Sequence, residues 1–386
     1  MNEKVYAINC NDYEDNNIDK ALKKLLLDNH LLDFVYKGCV VAIKTNLVAS
    51  SKPESAIITN PSVLKGLCKI LVNKGANVII GDSPGGLYNE AVLNSSYHKT
   101  TLNKLENDNV KLNHDFSQEV VKTPYLKVVK NLDCCKYLLK ADFIINCCKM
   151  KTHGMMSLSA AVKNMFGSVP GTLKLEYHYR YNNHVDFANM LIDIQEFYKC
   201  NLHIVDAITA MEGNGPTMGT PRSVNLLLAS EKPYNLDIVC AKLMNLDINQ
   251  VVTIKEAINR NLCVDDFSKV DINFDITPYI VKDFKNIEHQ DTIEFYGSKD
   301  NSFFKRLLGK VATKILILRP KANKKQCIGC QKCANICPAK AITMKNKKPN
   351  IDKKKCIRCF CCQEFCPVGA MKTHKTFLAK IITKRK

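Results

Sequence analysis

No run of eighteen apolar residues occurs in the 386-residue chain, so the sequence predicts no segment that crosses a bilayer. The opening stretch, MNEKVYAINCNDYEDNNIDK, is polar and acidic and has no signal-peptide character. Its glycines build neither phosphate-cradling frame: Gly85-Gly86 belongs to no G-x-x-x-x-G-K-[ST] or G-x-G-x-x-G pattern. No flavin, nicotinamide, haem or nickel motif is visible, so any redox chemistry needs another carrier. Acids are nearly missing from one end. Arg319 to Lys386 holds 19 Lys/Arg but only Asp352 and Glu364, which is +17 of the chain's +19 and leaves +2 for the rest.

Cysteine, by contrast, is abundant, with 19 in the chain. Ten lie outside one C-terminal stretch at uneven spacings, mostly in apolar surroundings such as those of Cys39, Cys68 and Cys240. They read as packed thiols, which places the chain in a reducing cytoplasm. The adjacent pairs Cys134–Cys135 and Cys147–Cys148 lack a C-x2-C partner and read the same way.

The other nine fall in CIGCQKCANICPAKAI and CIRCFCCQEFCPVGAM. Cys327, Cys330, Cys333 and Cys337 follow C-x2-C-x2-C-x3-C-P, and Cys356, Cys359, Cys362 and Cys366 repeat it 29 residues later. Pro338 and Pro367 keep that register, as do Ala341 and Ala370. Three thiolates two residues apart wrap one corner of a cluster, while the fourth, followed by proline, is carried away from it. A zinc site needs only four ligands and fits two complete frames poorly. Cys361 aligns with Lys332 and is read as a non-ligand.

The stretch resembles a bacterial-type two-cluster [4Fe-4S] ferredoxin over about residues 320–375. The resemblance implies that Cys327, Cys330, Cys333 and Cys366 hold one cluster, and Cys356, Cys359, Cys362 and Cys337 the other. It implies electron transfer through two [4Fe-4S] clusters as the function. A redox-sensing or docking module with structural clusters is the alternative. Two oxidised clusters with their thiolates lower the module's charge by about four, so it stays strongly cationic. Many small ferredoxins of this kind are acidic. Here the charge favours an acidic redox partner protein. Nucleic acid is disfavoured because no binding motif is present and aromatics are sparse. The basic tail carries Phe377, Leu378, Ile381 and Ile382 among its lysines, a short apolar set for a membrane surface.

Upstream, strand and helix patterns alternate. Strands are predicted at 4–10, Cys39–Val48, Val78–Ile80, Phe143–Cys147, from Ile204 and over Ser223–Ser230, with others in Lys122–Lys130 and Ile293–Ser298. Helical spacing covers 17–29, Pro61 to about Gly75 with Asn60 as cap, Ser157–Gly167 with a serine cap, and Asn235–Leu246. The loop from Glu212 to Pro216 is left open between a lid and a wide turn. Such alternation predicts an α/β domain with a mostly parallel sheet over 1–315, followed by a small α+β ferredoxin-like domain at 320–375 and a basic tail at 376–386.

The segments AIKTNLV, IIGDSPGG, KMKTHGMMSLSAAVKNMFG and IVDAITAMEGNGP resemble a large uncharacterised prokaryotic family. Its α/β domain of unknown function often occurs fused to ferredoxin modules, and it supplies no established reaction. The residues themselves suggest an anion site. Lys44, Asn46, Asp82, Lys151 and His153 follow apolar strands, as does Asp206. Lys163 lies on the helix expected to start near Ser157, whose free N–H groups would face the same place. A small anionic ligand is the expected occupant. If the site is a reductase, His153 or a lysine is the expected proton donor.

Overall fold

The computed structural model describes residues 4–48, 50–287 and 319–374. The chain divides into two compact units, Met1–Asn286 and Ile287–Lys386. The boundary expected near 315 and the strand expected at Ile293–Ser298 fall outside the described residues, as does the tail at 376–386.

The first unit is built on an eight-stranded sheet. Its strands are β1 (Tyr6–Asn9), β2 (Val40–Lys44), β3 (Asn77–Gly81), β4 (Val110–Leu112), β7 (Phe143–His153), β8 (Ser157–Ser159), β9 (Leu202–Asn214) and β10 (Met218–Ser230). The order is β1-β10-β9-β7-β2-β3-β4, with β8 attached to β7. Pairings from β9 through β7, β2 and β3 to β4 are parallel. β10 lies antiparallel to both β9 and β1. The β5 (Gln118–Lys122) and β6 (Asn131–Cys135) strands form a separate hairpin. Lys122–Lys130 is therefore chiefly the connection between two arms rather than an arm itself.

Helices cover both faces, which is why the central strands read as nearly unbroken apolar runs. On one face α1 (Asp15–Leu26) and α2 (Pro61–Asn73) bury Leu22, Leu64 and Leu67 against Ile43, Ile145 and Ile204. Asn60 caps α2 by accepting from Ser62 N at 2.9 Å, with Pro61 in the first turn where its missing N–H costs nothing. On the other face α8 (Pro233–Leu243) and α9 (Val252–Asn259) pack Leu236, Val239 and Ile254 against Cys148, Val205 and Leu228.

Two local expectations change. β7 runs on through Lys149 and Lys151 to His153, so these side chains belong to the strand. Ser157 does not cap a helix. Ser157–Ser159 turns back and pairs antiparallel with Lys151–His153, and helix α5 is only Ala161–Asn164. The Glu212–Pro216 segment forms the end of the β9–β10 hairpin, where Asn214 pairs with Met218.

The described part of the second unit repeats itself. β11 (Arg319–Ala322) pairs with β14 (Met371–His374), and β12 (Ile342–Lys345) with β13 (Lys348–Ile351). Short helices α10 (Lys332–Asn335) and α11 (Cys361–Glu364) follow the second cysteine of each frame. Matching backbone bonds recur 29 residues apart: Asn323 N to Ala370 O and Asp352 N to Ala341 O are both 2.8 Å. The two halves are thus related by a pseudo-twofold in which each hairpin partner of one half completes the other. Among the described residues no helix is long and apolar enough to cross a membrane.

Candidate functional site

In the second unit each frame bends through two left-handed residues. Gly329 (φ 73°) and Gln331 (φ 62°) flank Cys330, and Arg358 (φ 61°) and Phe360 (φ 58°) flank Cys359. These turns curl the chain so that successive cysteines face inward. Cys327, Cys330, Cys333 and Cys366 line one hollow. Cys337, Cys356, Cys359 and Cys362 line the second. Cys361 is buried but lines neither. Each frame's last cysteine is therefore contributed to the other frame's hollow. Backbone N–H groups aim at two of these sulfurs, Ala341 N at Cys337 Sγ and Ala370 N at Cys366 Sγ, both 3.2 Å. Such bonds stabilise thiolate ligands and tune cluster potential. Thiolates about 2.3 Å from one zinc would crowd together, whereas a cubane keeps them apart around a hollow. The donor set thus fits iron–sulfur clusters.

In the first unit the polar residues gather where strand order reverses. From β2 the chain builds outward to β3 and β4, then returns to place β7 on the other side of β2. Open α/β sheets bind ligands beyond the strand ends at such a point. Lys44 ends β2 with its Nζ 2.7 Å from Asp82 Oδ1, and Asp82 Oδ2 accepts from Leu47 N at 2.7 Å. Both are buried, and Gly167 packs so closely on them that a Cβ there would lie 2.6 Å from Lys44 Nζ.

Lys151 Nζ donates to Asn46 Oδ1 at 2.6 Å and to Ile57 O at 2.7 Å. Asn46 Nδ2 donates to Asn164 Oδ1 at 2.7 Å, and Asn164 Nδ2 to Asn146 Oδ1 at 2.7 Å. Asn146 Nδ2 reaches His203 Nδ1 at 3.0 Å. Lys151, Asn46, Asn164, Asn146 and His203 thus form one continuous buried chain of hydrogen bonds. Burial pushes the His203 pKa down to about 3, so its imidazole is neutral and accepts the amide proton.

Alternation along the strands separates a second ion pair. Lys149 and Asp206 share a face with Ile145 and Ile204, on the α1–α2 side, with Lys149 Nζ 2.8 Å from Asp206 Oδ2 and 2.7 Å from Tyr13 OH. Burial lowers the Lys149 pKa, and Asp206 opposes that shift. His153 is buried, and its Nδ1 accepts from Met155 N and Met156 N at 3.0 and 3.2 Å, which places its proton on Nε2. Lys163 Nζ sits 5.0 Å over the Phe166 ring.

The N–H groups expected to be free at the start of a helix are not free. Asp237 of α8 accepts from Ala161 N at 2.7 Å and Val162 N at 3.3 Å. Burial raises its pKa to about 7, against the lowering effect of those two donors. Lys44, Asn46, Asp82 and Lys151 are brought together by Asn164 and Gly167. The sequence reading missed Asn146, His203 and Asp237. Each is a lone polar residue inside an apolar run, and that isolation was the available signal.

Comparisons with known proteins find matches in both units. Residues 319–367 match a 4Fe-4S dicluster domain, so the C-terminal module is an iron–sulfur cluster-binding domain. A thylakoid-associated protein of Synechocystis is 29% identical over 250 residues, covering 64% of this chain and 76% of that protein. Among solved structures, the lactate racemase apoprotein of Thermoanaerobacterium thermosaccharolyticum aligns at a TM-score of 0.42 and 15% identity, over 63% of this chain and 57% of that one. A Thermotoga maritima protein aligns at 0.33 and 12%, over 56% and 55%. This chain spans less than two thirds of either structure. Residues 41–242, more than half of the chain, match the domain of unknown function DUF362, and the chain belongs to that family.

Proposed function

We propose that this protein is an electron carrier whose C-terminal module holds two [4Fe-4S] clusters, each completed by a cysteine from the opposite frame. The observation that supports it most directly is the sorting of eight cysteines into two hollows, three from one frame and one from the other. When bound, such clusters accept and release single electrons. The chain's own residues fix the thiolates, donate the Ala341 and Ala370 N–H groups, and surround the sites with positive charge.

Crosswise wiring has a decisive test. The double variant Cys333→Ser/Cys366→Ser removes two ligands from one hollow. It should keep about four iron and four sulfide, with one cluster visible by EPR after anaerobic reduction. If each frame instead held its own cluster, both would be damaged. A wild-type protein without acid-labile sulfide would end the proposal.

For the first unit, the reading is a small anionic ligand bound near Lys44, Asn46, Asp82, Lys151, His153 and Lys163. The support is the gathering of Lys44, Asn46, Asp82 and Lys151 at the β2/β7 reversal, with Asn46, Asn164 and Lys151 linked there. The test is calorimetric titration of wild type and Lys151→Ala with phosphate and with small carboxylates. Equal responses, or none, would refute it.

A further inference from the structure

The internal duplication supplies its own control, because related positions in the two halves differ in surroundings. Ile328 follows the first cysteine of the first frame and is 64% exposed. Its counterpart Ile357 is half-buried. Cys330 is exposed, whereas Cys359 is buried. Gln331 and Lys332 are exposed, but Phe360 and Cys361, which occupy the same places in the second frame, are buried. One cluster site therefore opens to solvent at an apolar knob, and the other is covered at the equivalent point.

Cations surround that knob. Lys332 lines the same hollow as Ile328. Lys347 lies against Gly329, where a Cβ would sit 2.9 Å from its carbonyl oxygen and 3.2 Å from its own Cβ. Lys348 Nζ donates to Cys327 O at 2.6 Å. Lys324 and Lys325 precede the frame and are exposed. Residues 319–374 carry 14 Lys/Arg against two acids, so the module stays cationic even with about two negative charges on each cluster site. An apolar centre inside a cationic ring is the anatomy of a docking patch. The centre supplies affinity, and the ring supplies steering and orientation.

We propose that this face, centred on Ile328 and ringed by Lys324, Lys325, Lys332 and Lys347, docks an acidic redox protein. Electrons would then enter or leave through the site of Cys327, Cys330, Cys333 and Cys366 rather than through the other. The proposal rests on the electron-carrier reading and adds to it which site faces the partner and what the partner's surface is like: acidic, with an apolar recess for one aliphatic side chain.

The test uses full-length, cluster-loaded protein and an acidic flavodoxin as probe, with binding measured by calorimetry and electron transfer by stopped flow. Ile328→Asp and Lys332→Glu should each weaken binding by about tenfold or more, the size of one central contact. Lys354→Glu changes the charge equally but lies in the second half, and should change binding less than about threefold. Wild-type binding should fall steeply as salt is added. No salt-dependent binding, or equal losses for Lys332→Glu and Lys354→Glu, would overturn the proposal. So would loss of retention on phosphatidylglycerol vesicles in Ile328→Asp with flavodoxin binding intact, because the face would then belong to a membrane. Reducible clusters are scored separately by EPR. Their absence would sink the carrier reading, while calorimetry would still decide the docking face.

Discussion

Replacing Gly167 by alanine puts one methyl group into the most tightly closed polar contact described above. The new Cβ would overlap Asp82 Oδ1 and lie 2.6 Å from Lys44 Nζ and 2.7 Å from its Cε. Neither partner has room to retreat, since both are buried and Asp82 Oδ2 is already held by Leu47 N. Overpacking alone costs about 1–3 kcal/mol. Parting a buried ion pair leaves two charges without compensation and costs about 3–5 kcal/mol. The second term dominates, so Gly167→Ala should lose about 3–5 kcal/mol, a large share of the roughly 5–15 kcal/mol that holds a domain together. The chain has no tryptophan but 14 tyrosines, so urea unfolding is best followed by far-UV circular dichroism and tyrosine emission. Replacing the pair by apolar groups, Lys44→Met with Asp82→Leu, should cost less than the single glycine change. A loss below about 1 kcal/mol for Gly167→Ala would show that the pair can move aside, and the account of Gly167 would fail.

Acid stability should report buried histidines and one carboxyl pulling in opposite directions. Burial depresses His178 and His203 to about 3, so the stability from their neutral forms is present above about pH 6.5 and is lost as pH falls. Asp237 is raised to about 7, so its contribution is full below about 4 and is lost as pH rises towards 7. Relative to wild type, Asp237→Asn should steepen the loss of stability on acidification around pH 5 by about 1.4 kcal/mol per pH unit, and His203→Gln should flatten it by the same amount, both by urea titration. Parallel profiles would contradict these assignments. In the cysteine frames, Gly329→Ala meets both a φ of 73° and the Lys347 carbonyl at 2.9 Å. It should destabilise the module by about 1–2 kcal/mol, measured as faster cluster loss under chelation. Arg358→Gly relieves the same backbone conformation in the other half and should not accelerate loss.

The cysteine frames were legible because their information is in the spacing itself. Asn60-Pro61 and the apolar run at Phe143 were legible because capping and burial are local. The site at β2 and β7 was harder for a specific reason. A lysine after an apolar run ordinarily marks the surface, yet Lys149 continues the strand because Asp206, far along the chain, meets it directly across the pairing in the adjacent strand β9. Ser157 looks like a helix cap by type. It is drawn into a strand by Lys151–His153 beside it, and the capping duty passes to Asp237 from a distant helix. Partners at that separation leave no periodic trace. What remained readable was the oddity of Asn146, His203 and Asp237 among apolar neighbours.

The edge position of β1 has a bearing on synthesis. Tyr6–Asn9 pair as a strand with Leu226–Ala229, and Ala7 N also donates to Asn273 Oδ1 at 2.8 Å. At about 5–20 residues per second, β1 leaves the ribosome roughly ten to forty seconds before its partner strand. Throughout that interval β1 has no strand to pair with. Slowing elongation before Ser230 should therefore lower soluble yield, and a chaperone that shields nascent extended segments should restore it.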